Sequence, residues 1–384
     1  MAKKKHFLQN PFFIIQWHIT ERCNWQCKHC YQDKAPVPEL PFGKLEGVLG
    51  QCMELFKTLN VPAKQAYMHI GGGEPFLRKD FFKFLKLLSV HNDYLRIQIM
   101  TNGSLLTQSV VKELKRMKVN AVQVSLEGFE QTNDQIRGPG SFNKALRAIE
   151  LLIKNKISTR VSLTLTRMNL NEIDDLAVYL KSLGVRSFGI RRYFPEGEGG
   201  QLKEFMLSPL EMKEYYLRRE ALKKKLDVPG KFWVSKVCED ACYLSSQDQS
   251  CPSCGITRGC HLNIFTNGDI LACRRCPIVV GNVLKDRLLD VYFSSDTLWA
   301  LRNLDNVNPE CRKCTYFDRC LGGAKCESYS YFNNPFAPDP QCFRLFTDLP
   351  DPQRYNRQAE KMEVQKVSAF KGEKKFTDEI EDVI

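Results

Sequence analysis

The stretch ERCNWQCKHCY places Cys23, Cys27 and Cys30 in a C-x3-C-x2-C spacing. Three thiols so close together point to metal, because the thiolate is the ligand form and one short loop can turn several of them towards a single centre. With His29 they make a Cys3His zinc set, although adjacent His29 and Cys30 are awkward on one tetrahedral ion. The other chemistry is a four-iron cluster, whose four corners each normally take a thiolate. Three cysteines leave one iron open, much as a catalytic zinc keeps one position for its substrate. A small chelating molecule could then occupy that iron.

The chain has 384 residues, 43% hydrophobic and 26% charged, as expected of a globular protein with one large domain and a smaller one. No run approaches eighteen apolar residues, so no membrane partner is expected. The start MAKKKHFLQNPFF has no apolar core or cleavage site, which argues against a secretory signal and for a cytoplasmic address. There, sixteen cysteines read as metal ligands rather than disulfides. Four lie in the first 52 residues, none between 53 and 237, and twelve from Cys238 to Cys342, so two metal-bearing regions are expected. The net charge of +12 is spread out, and its densest run, LRREALKKKL at 217–226, reads as one solvated helix face. No base-stacking motif accompanies it, so nucleic acid is not expected as a partner. An acidic partner such as a peptide segment remains compatible with the charge.

The elements that must position these cysteines follow from periodicity. Strands are expected at 13–19, 66–70, 96–100, 121–126, 160–165 and 187–192, with amphipathic helical patterns between them. A further helix is expected over 208–225, with Ser208 as cap and Pro209 in the first turn. Six βα units in series imply a parallel sheet with right-handed crossovers. Six is short of the eight of a closed barrel, so the expected fold is α/β, a partial (β/α)6 TIM barrel. Its reactive groups belong on loops at the C-terminal ends of the strands, where the three cysteines fall. The expected organisation is a basic segment at 1–12, the core at 13–205, a helical bridge at 206–250, a small cysteine-rich domain at 251–348 and a flexible tail at 349–384.

The order of motifs resembles the radical S-adenosylmethionine (SAM) superfamily, whose signature is C-x3-C-x-φ-C after the first strand. Here His29 stands at φ, where an aromatic residue is usual. The resemblance implies that Cys23, Cys27 and Cys30 hold a [4Fe-4S] cluster whose open iron binds SAM. GGGEP at 71–75 resembles the family's GGE motif, implying Gly72, Gly73 and Glu74 as contacts of the SAM amino group. TNG at 101–103 adds Asn102. SLEG at 125–128 adds Ser125 and Glu127 near the ribose, with Glu127 where Asp is frequent. IRGPGSFNKAL implies that Arg137 meets the SAM carboxylate, a task suited to its fork. Thr164 and Asn169 could line the same cleft.

Beyond residue 250 the cysteines resemble the SPASM extension. Cys260 and Cys273 give C-x7-G-x4-C, and Cys311, Cys314, Cys320 and Cys326 give C-x2-C-x5-C-x5-C, followed by Cys342. The family pattern has a longer first spacer and x3 in the last pair, which loosens the assignment of Cys326. Its interleaved wiring implies one auxiliary cluster on Cys254, Cys260, Cys273 and Cys326, and another on Cys311, Cys314, Cys320 and Cys342. Three [4Fe-4S] clusters and SAM are therefore the implied cofactors. Cys251 rivals Cys254 as the upstream ligand. Cys52 reads as a small core residue, while Cys238, Cys242 and Cys276 are unassigned.

The SPASM resemblance implies a peptide or small protein substrate, modified by thioether or carbon–carbon crosslinking or a related maturation. Sulfatase maturases place an aspartate base after the second SPASM cysteine; Arg274 stands there instead. Arg191 and Arg192, ending the sixth strand, are candidates for substrate carboxylate or backbone contacts. The chain starts almost at its first strand, so an N-terminal peptide-recognition domain is not expected, and a separate leader-peptide-binding protein would be a partner. So would a reductant such as flavodoxin or ferredoxin. The alternatives are cofactor maturation, including tetrapyrrole side-chain decarboxylation, and a non-catalytic multi-cluster electron-transfer protein. A pure electron carrier needs no SAM pocket, so the GGE, TNG and Arg137 positions speak against the last.

Overall fold

The computed structural model describes residues 12–32, 37–235 and 254–355. Cys238, Cys242 and Cys251 lie outside these residues, as does nearly all of the basic segment at 1–12.

Six strands form where alternation or short apolar runs foretold them: β1 (Phe13–His18), β2 (Ala66–Gly71), β3 (Leu95–Thr101), β4 (Ala121–Ser125), β5 (Thr159–Leu165) and β6 (Ser187–Arg192). Residues of one parity, such as Ile15, Trp17, Met68, Ile97, Val161 and Phe188, are buried beneath the helices. The opposite parity is largely polar and faces inward. The crossover helices are α1 (Phe42–Thr58), α2 (Phe81–Ser89), α3 (Gln108–Arg116), α4 (Glu130–Arg137), α5 (Ser141–Lys154) and α6 (Ile173–Leu183). Helix α4 has no apolar stripe and was not expected. It carries Arg137 on its last turn and ends at Gly138, whose φ of +111° suits glycine.

The bridging helix α7 (Pro209–Leu226) starts as expected. Ser208 and Glu211 form a reciprocal capping box, and Pro209 fits because the first turn needs no donor there. After it comes β7 (Trp233–Ser235), which pairs in parallel with β6. The expected core boundary at 205 therefore cuts off a strand of the same sheet.

The cysteine-rich region also joins that sheet. Strand β8 (His261–Ile264) pairs in parallel with β1, and β9 (Asp269–Cys273) and β10 (Cys276–Asn282) continue it antiparallel. The order is β10-β9-β8-β1-β2-β3-β4-β5-β6-β7, an open ten-stranded sheet whose parallel part has eight strands rather than six. Short helices follow: α8 (Leu288–Ser294), α9 (Asp296–Arg302), α10 (Pro309–Arg312), α11 (Phe317–Cys320) and α12 (Lys325–Phe332). One apolar core runs from α1 across the sheet to Cys254, Leu262, Leu288 and Leu301, with Cys52 buried inside it.

The expected tail begins later than residue 349. Tyr355 is buried against Phe332 and Phe346 and donates to Glu310 at 2.6 Å, while Tyr331 donates to the Pro350 carbonyl. Apolar packing thus holds 349–355 in the fold; the rest of that segment lies outside the described residues. No helix among the described residues is long and apolar enough to cross a membrane.

Candidate metal centre and cofactor pocket

The loop after β1 is fixed before any cofactor is considered. Its backbone continues alongside the GGGEP segment, with Ile19 N donating to Gly71 O, Gly73 N to Thr20 O and Glu74 N to Arg22 O. A Cβ on Gly72 would collide with the Thr20 carbonyl oxygen, and one on Gly73 with that of Arg22. Gly72 also has a φ of +148°. The glycines are required first for this close approach of two loops. Buried Arg78 clamps the same region by donating to the carbonyls of Ile19 and Leu40, each at 2.8 Å.

Glu74 is fully buried, and its carboxylate joins the ends of β2 and β3. It accepts from Thr101 Oγ1 at 2.8 and 2.9 Å and from Asn102 N at 2.8 Å. Burial pushes its pKa up to about 7, against these hydrogen bonds. Asn102 is thereby aimed at the cysteine loop, its Nδ2 lying 2.9 Å from Asn24 Oδ1 and 3.9 Å from Cys23 Sγ.

On the other side of the loop, Arg137 reaches from α4. Its Nε and Nη2 donate to Glu127 Oε1 at 3.0 and 2.7 Å, and Nη1 lies 3.8 Å from Cys27 Sγ. The same oxygen of Glu127 is 3.2 Å from His29 Nε2, and the other accepts from Thr164 N at 2.6 Å. Burial alone would raise the Glu127 carboxyl, but His29 and Arg137 outweigh it and hold it at about 2. Asn169 locks this corner by donating to the carbonyls of Glu127 and Thr164. Ser125 sits half-buried at the end of β4 beside Ser162. Glu127 and Arg137, expected from sequence at the ribose and at the carboxylate, are thus one ion pair, and His29 at the φ position lies against it.

Burial raises the thiol pKa of Cys23, Cys27 and Cys30. Arg137 opposes that at all three, which suits a centre made of thiolates. Among the described residues, no three His, Cys, Asp or Glu side chains converge tightly enough for a single ion, as a zinc site with bonds of about 2.3 Å would require. A cluster spreads its thiolates over the corners of a cube, and the three-thiol loop with a cationic wall fits that donor set.

The later cysteines fall into two groups. Cys254 is within electrostatic reach of Cys260, Cys273 and Cys326. Cys311 is within reach of Cys314, Cys320 and Cys342. Burial pushes Cys260 and Cys342 up to about 12 and Cys273 to about 11. Cys276, unassigned from sequence, is fully buried opposite Cys273 across the β9–β10 hairpin and within reach of Cys254.

Two arginines are spent on structure. Arg192 is buried in a two-pronged ion pair with Asp339, at 2.6 and 2.9 Å, so it braces the loop carrying Cys342 instead of facing a substrate. Arg274 is also buried. It lies over the rings of Tyr31 and Phe265 and 3.4 Å from Glu21, bridging the cysteine-rich hairpin to the loop after β1. No sequence signal marked the bridge to the loop after β1, since Glu21 lies 253 residues away in the chain.

The radical SAM superfamily model matches residues 17–180, and an iron–sulfur cluster-binding domain model, SPASM, matches residues 246–315. A mycofactocin maturase of Mycobacterium ulcerans is 28% identical over 350 residues, covering 88% of this chain and 89% of that protein. An AdoMet-dependent heme synthase of Methanosarcina barkeri is 24% identical over 346 residues, covering 86% and 95%. In fold the chain is similar to Streptococcus suis SuiB bound to precursor peptide SuiA. The TM-score is 0.69 at 18% identity, over 89% of this chain and 78% of that one.

Proposed function

We propose that this chain, with a radical SAM domain matched over residues 17–180 and an iron–sulfur cluster-binding SPASM domain matched over 246–315, modifies a residue of a peptide or small protein substrate. The observation that carries this reading is the Cys23–Cys27–Cys30 loop, walled by Asn102 on one side and Arg137 on the other. Cys23, Cys27 and Cys30 would hold a four-iron cluster there, which would supply the one-electron reduction that SAM cleavage needs.

The chain's own residues prepare that event. Arg137 sets a fixed positive charge against Cys27, and Glu127 keeps its guanidinium oriented. Gly72 and Gly73 bring a bare backbone up to the cysteine loop, and Glu74 fixes Asn102 beside it. The hairpin residue Arg274 closes the loop from the cysteine-rich side, which helps exclude water from a reactive centre. The two later thiol groups support two auxiliary clusters, making three in all, with a small reductant such as flavodoxin or ferredoxin delivering electrons. Arg274, and not an aspartate, follows the second cysteine of the SPASM pattern, where sulfatase maturases place their base.

A peptide or protein substrate is supported by the mycofactocin maturase, the more similar in sequence of the two relatives, and a separate leader-peptide-binding protein is the partner such chemistry would use. The second reading, tetrapyrrole side-chain decarboxylation, draws on the heme synthase and on an Fe-coproporphyrin III synthase of the same organism at 25% identity. The test is anaerobic turnover with a deuterated peptide encoded beside the gene, reading 5′-deoxyadenosine by mass spectrometry. Deuterium transferred from the peptide is expected. Transfer from a deuterated tetrapyrrole propionate, with none from any neighbouring peptide, would overturn the peptide reading.

A further inference from the structure

The β9–β10 hairpin turns on two arginines, Arg274 and Arg275, set between Cys273 and Cys276. Their side chains leave the turn in different directions. Arg275 donates to Glu327 Oε1 at 2.8 Å, next in the chain to Cys326, and lies 4.2 Å from the ring of Phe194. Arg274 enters the loop that carries Cys23, Cys27 and Cys30.

The path from Arg274 into that loop is continuous. Its Nη2 lies 3.4 Å from Glu21 Oε2, and the same oxygen accepts from Gln32 Nε2. Gln32 Oε1 in turn lies 3.8 Å from Cys30 Sγ. The guanidinium is held 4.9 Å from the ring centre of Tyr31, next to Cys30, and 4.8 Å from that of Phe265 in the β8–β9 turn. Asn263 Oδ1 accepts from the Arg274 backbone N–H at 2.7 Å and fixes the other end. One residue thus starts beside Cys273 and ends against the neighbours of Cys30.

Both charges of the pair are nearly out of water, the Glu21 side chain 8% exposed and that of Arg274 10%. Buried charges are weakly screened and act over several ångströms. A brace alone would not need them, because apolar residues of similar volume would hold the loop without desolvating an ion pair. As a brace the pair is also loose. Arg274 Nε has no acceptor among the described residues, and a single 3.4 Å approach falls short of the two-pronged grip of Arg192 on Asp339. As a source of charge beside a thiolate ligand it is well placed, since the surroundings of such ligands tune the potential of the centre they hold.

We infer that Arg274 and Glu21 are positioning residues that set the reduction potential of the centre on Cys23, Cys27 and Cys30, with Arg274 tying that centre to the first auxiliary thiol group. The cation favours the reduced state, which carries one more electron, and the carboxylate opposes it. This rests on a four-iron cluster being held by the loop after β1, and is independent of whether the substrate is a peptide or a tetrapyrrole.

The experiment is a potentiometric titration of the reconstituted, SAM-free holoenzyme with dithionite, followed by electron paramagnetic resonance. The signal of the loop's cluster is the one that changes when SAM is added to a parallel sample. R274Q removes the cation and should lower the reduced-to-oxidised ratio at a fixed potential about tenfold, a shift of about 59 mV for one electron. E21Q removes the anion and should raise that ratio by about the same factor. The double variant E21Q/R274Q, and R274K, which keeps the charge, should stay within about twofold of wild type. Opposite shifts that cancel are the signature of charge, whereas loss of a mere brace would move both single variants the same way or neither. Iron is measured in every preparation. Should R274Q fail to retain the cluster, E21Q decides alone, a raised ratio upholding the inference and an unchanged or lowered one overturning it. Shifts of one sign in both single variants would overturn it, as would ratios within about twofold of wild type in both. A wild-type protein with no SAM-responsive signal would overturn the cluster assignment beneath the inference, while a responsive signal with unmoved potentials would overturn the charge pair alone.

Discussion

At the scale of single residues, the pocket depends on one buried carboxylate. Glu127 holds Arg137, His29 and the Thr164 amide together, and it is 1% exposed. Replacing it with glutamine leaves Arg137 partly buried beside Cys27 with no counter-charge. Breaking a buried pair in this way costs about 3–5 kcal/mol. We therefore expect E127Q to unfold at clearly lower denaturant under anaerobic conditions, and a midpoint equal to wild type would show that the pair does not brace the site. Sequence motifs marked Glu127 and Arg137 separately, each for a contact with SAM. That they bind each other was not legible, because the pairing depends on α4, a polar helix with no apolar period. His29 was legible as a member of a Cys3His set and as a departure from the usual residue; its placement against Glu127 needed the packed loop.

At the scale of elements, the strongest local signals read correctly and the short strands did not. Ser208, Pro209 and Glu211 specify the start of α7 in sequence, and the capping box forms with Arg167 bound to Glu211 from outside. Replacing Ser208 with alanine should cost about 1 kcal/mol, read as a small fall in the thermal midpoint. An unchanged midpoint would contradict the cap. The hydrogen bond from Arg167 and the Ser208 backbone N–H hold the Glu211 carboxyl at about 2. A lowered acid pKa stabilises the fold when ionised, so this contribution is complete above about pH 4.5 and fades as pH falls through about 2. The acid limb of wild-type stability should therefore be steeper than that of E211Q. By contrast β7 and β8 have three and four residues, too few for alternation to show. They join the sheet because β6 and β1 offer open edges, and only the folded core reveals those edges.

At the scale of the whole molecule, the barrel and the cysteine-rich region are parts of one sheet and one apolar core. The sequence divides them by a change of composition, which marks where metal-binding chemistry begins and says nothing about strand pairing. The implied family wiring, and not the spacing itself, put Cys254 with Cys260, Cys273 and Cys326, and the fold leaves Cys254 within electrostatic reach of those three. The position of Cys276 opposite Cys273 was hidden, since it requires the register of the β9–β10 hairpin.

The central claim is that the loop after β1 binds the cluster that cleaves SAM, while the later cysteines bind others. It is tested most directly by replacing Cys23, Cys27 and Cys30 together with alanine and measuring iron and 5′-deoxyadenosine in the same anaerobic preparation. The wild-type chain should hold on the order of twelve irons and release 5′-deoxyadenosine under reduction. The triple variant should keep roughly two-thirds of that iron and release none. Persistence of 5′-deoxyadenosine in the triple variant would contradict the assignment, and so would a colourless wild-type protein carrying stoichiometric zinc.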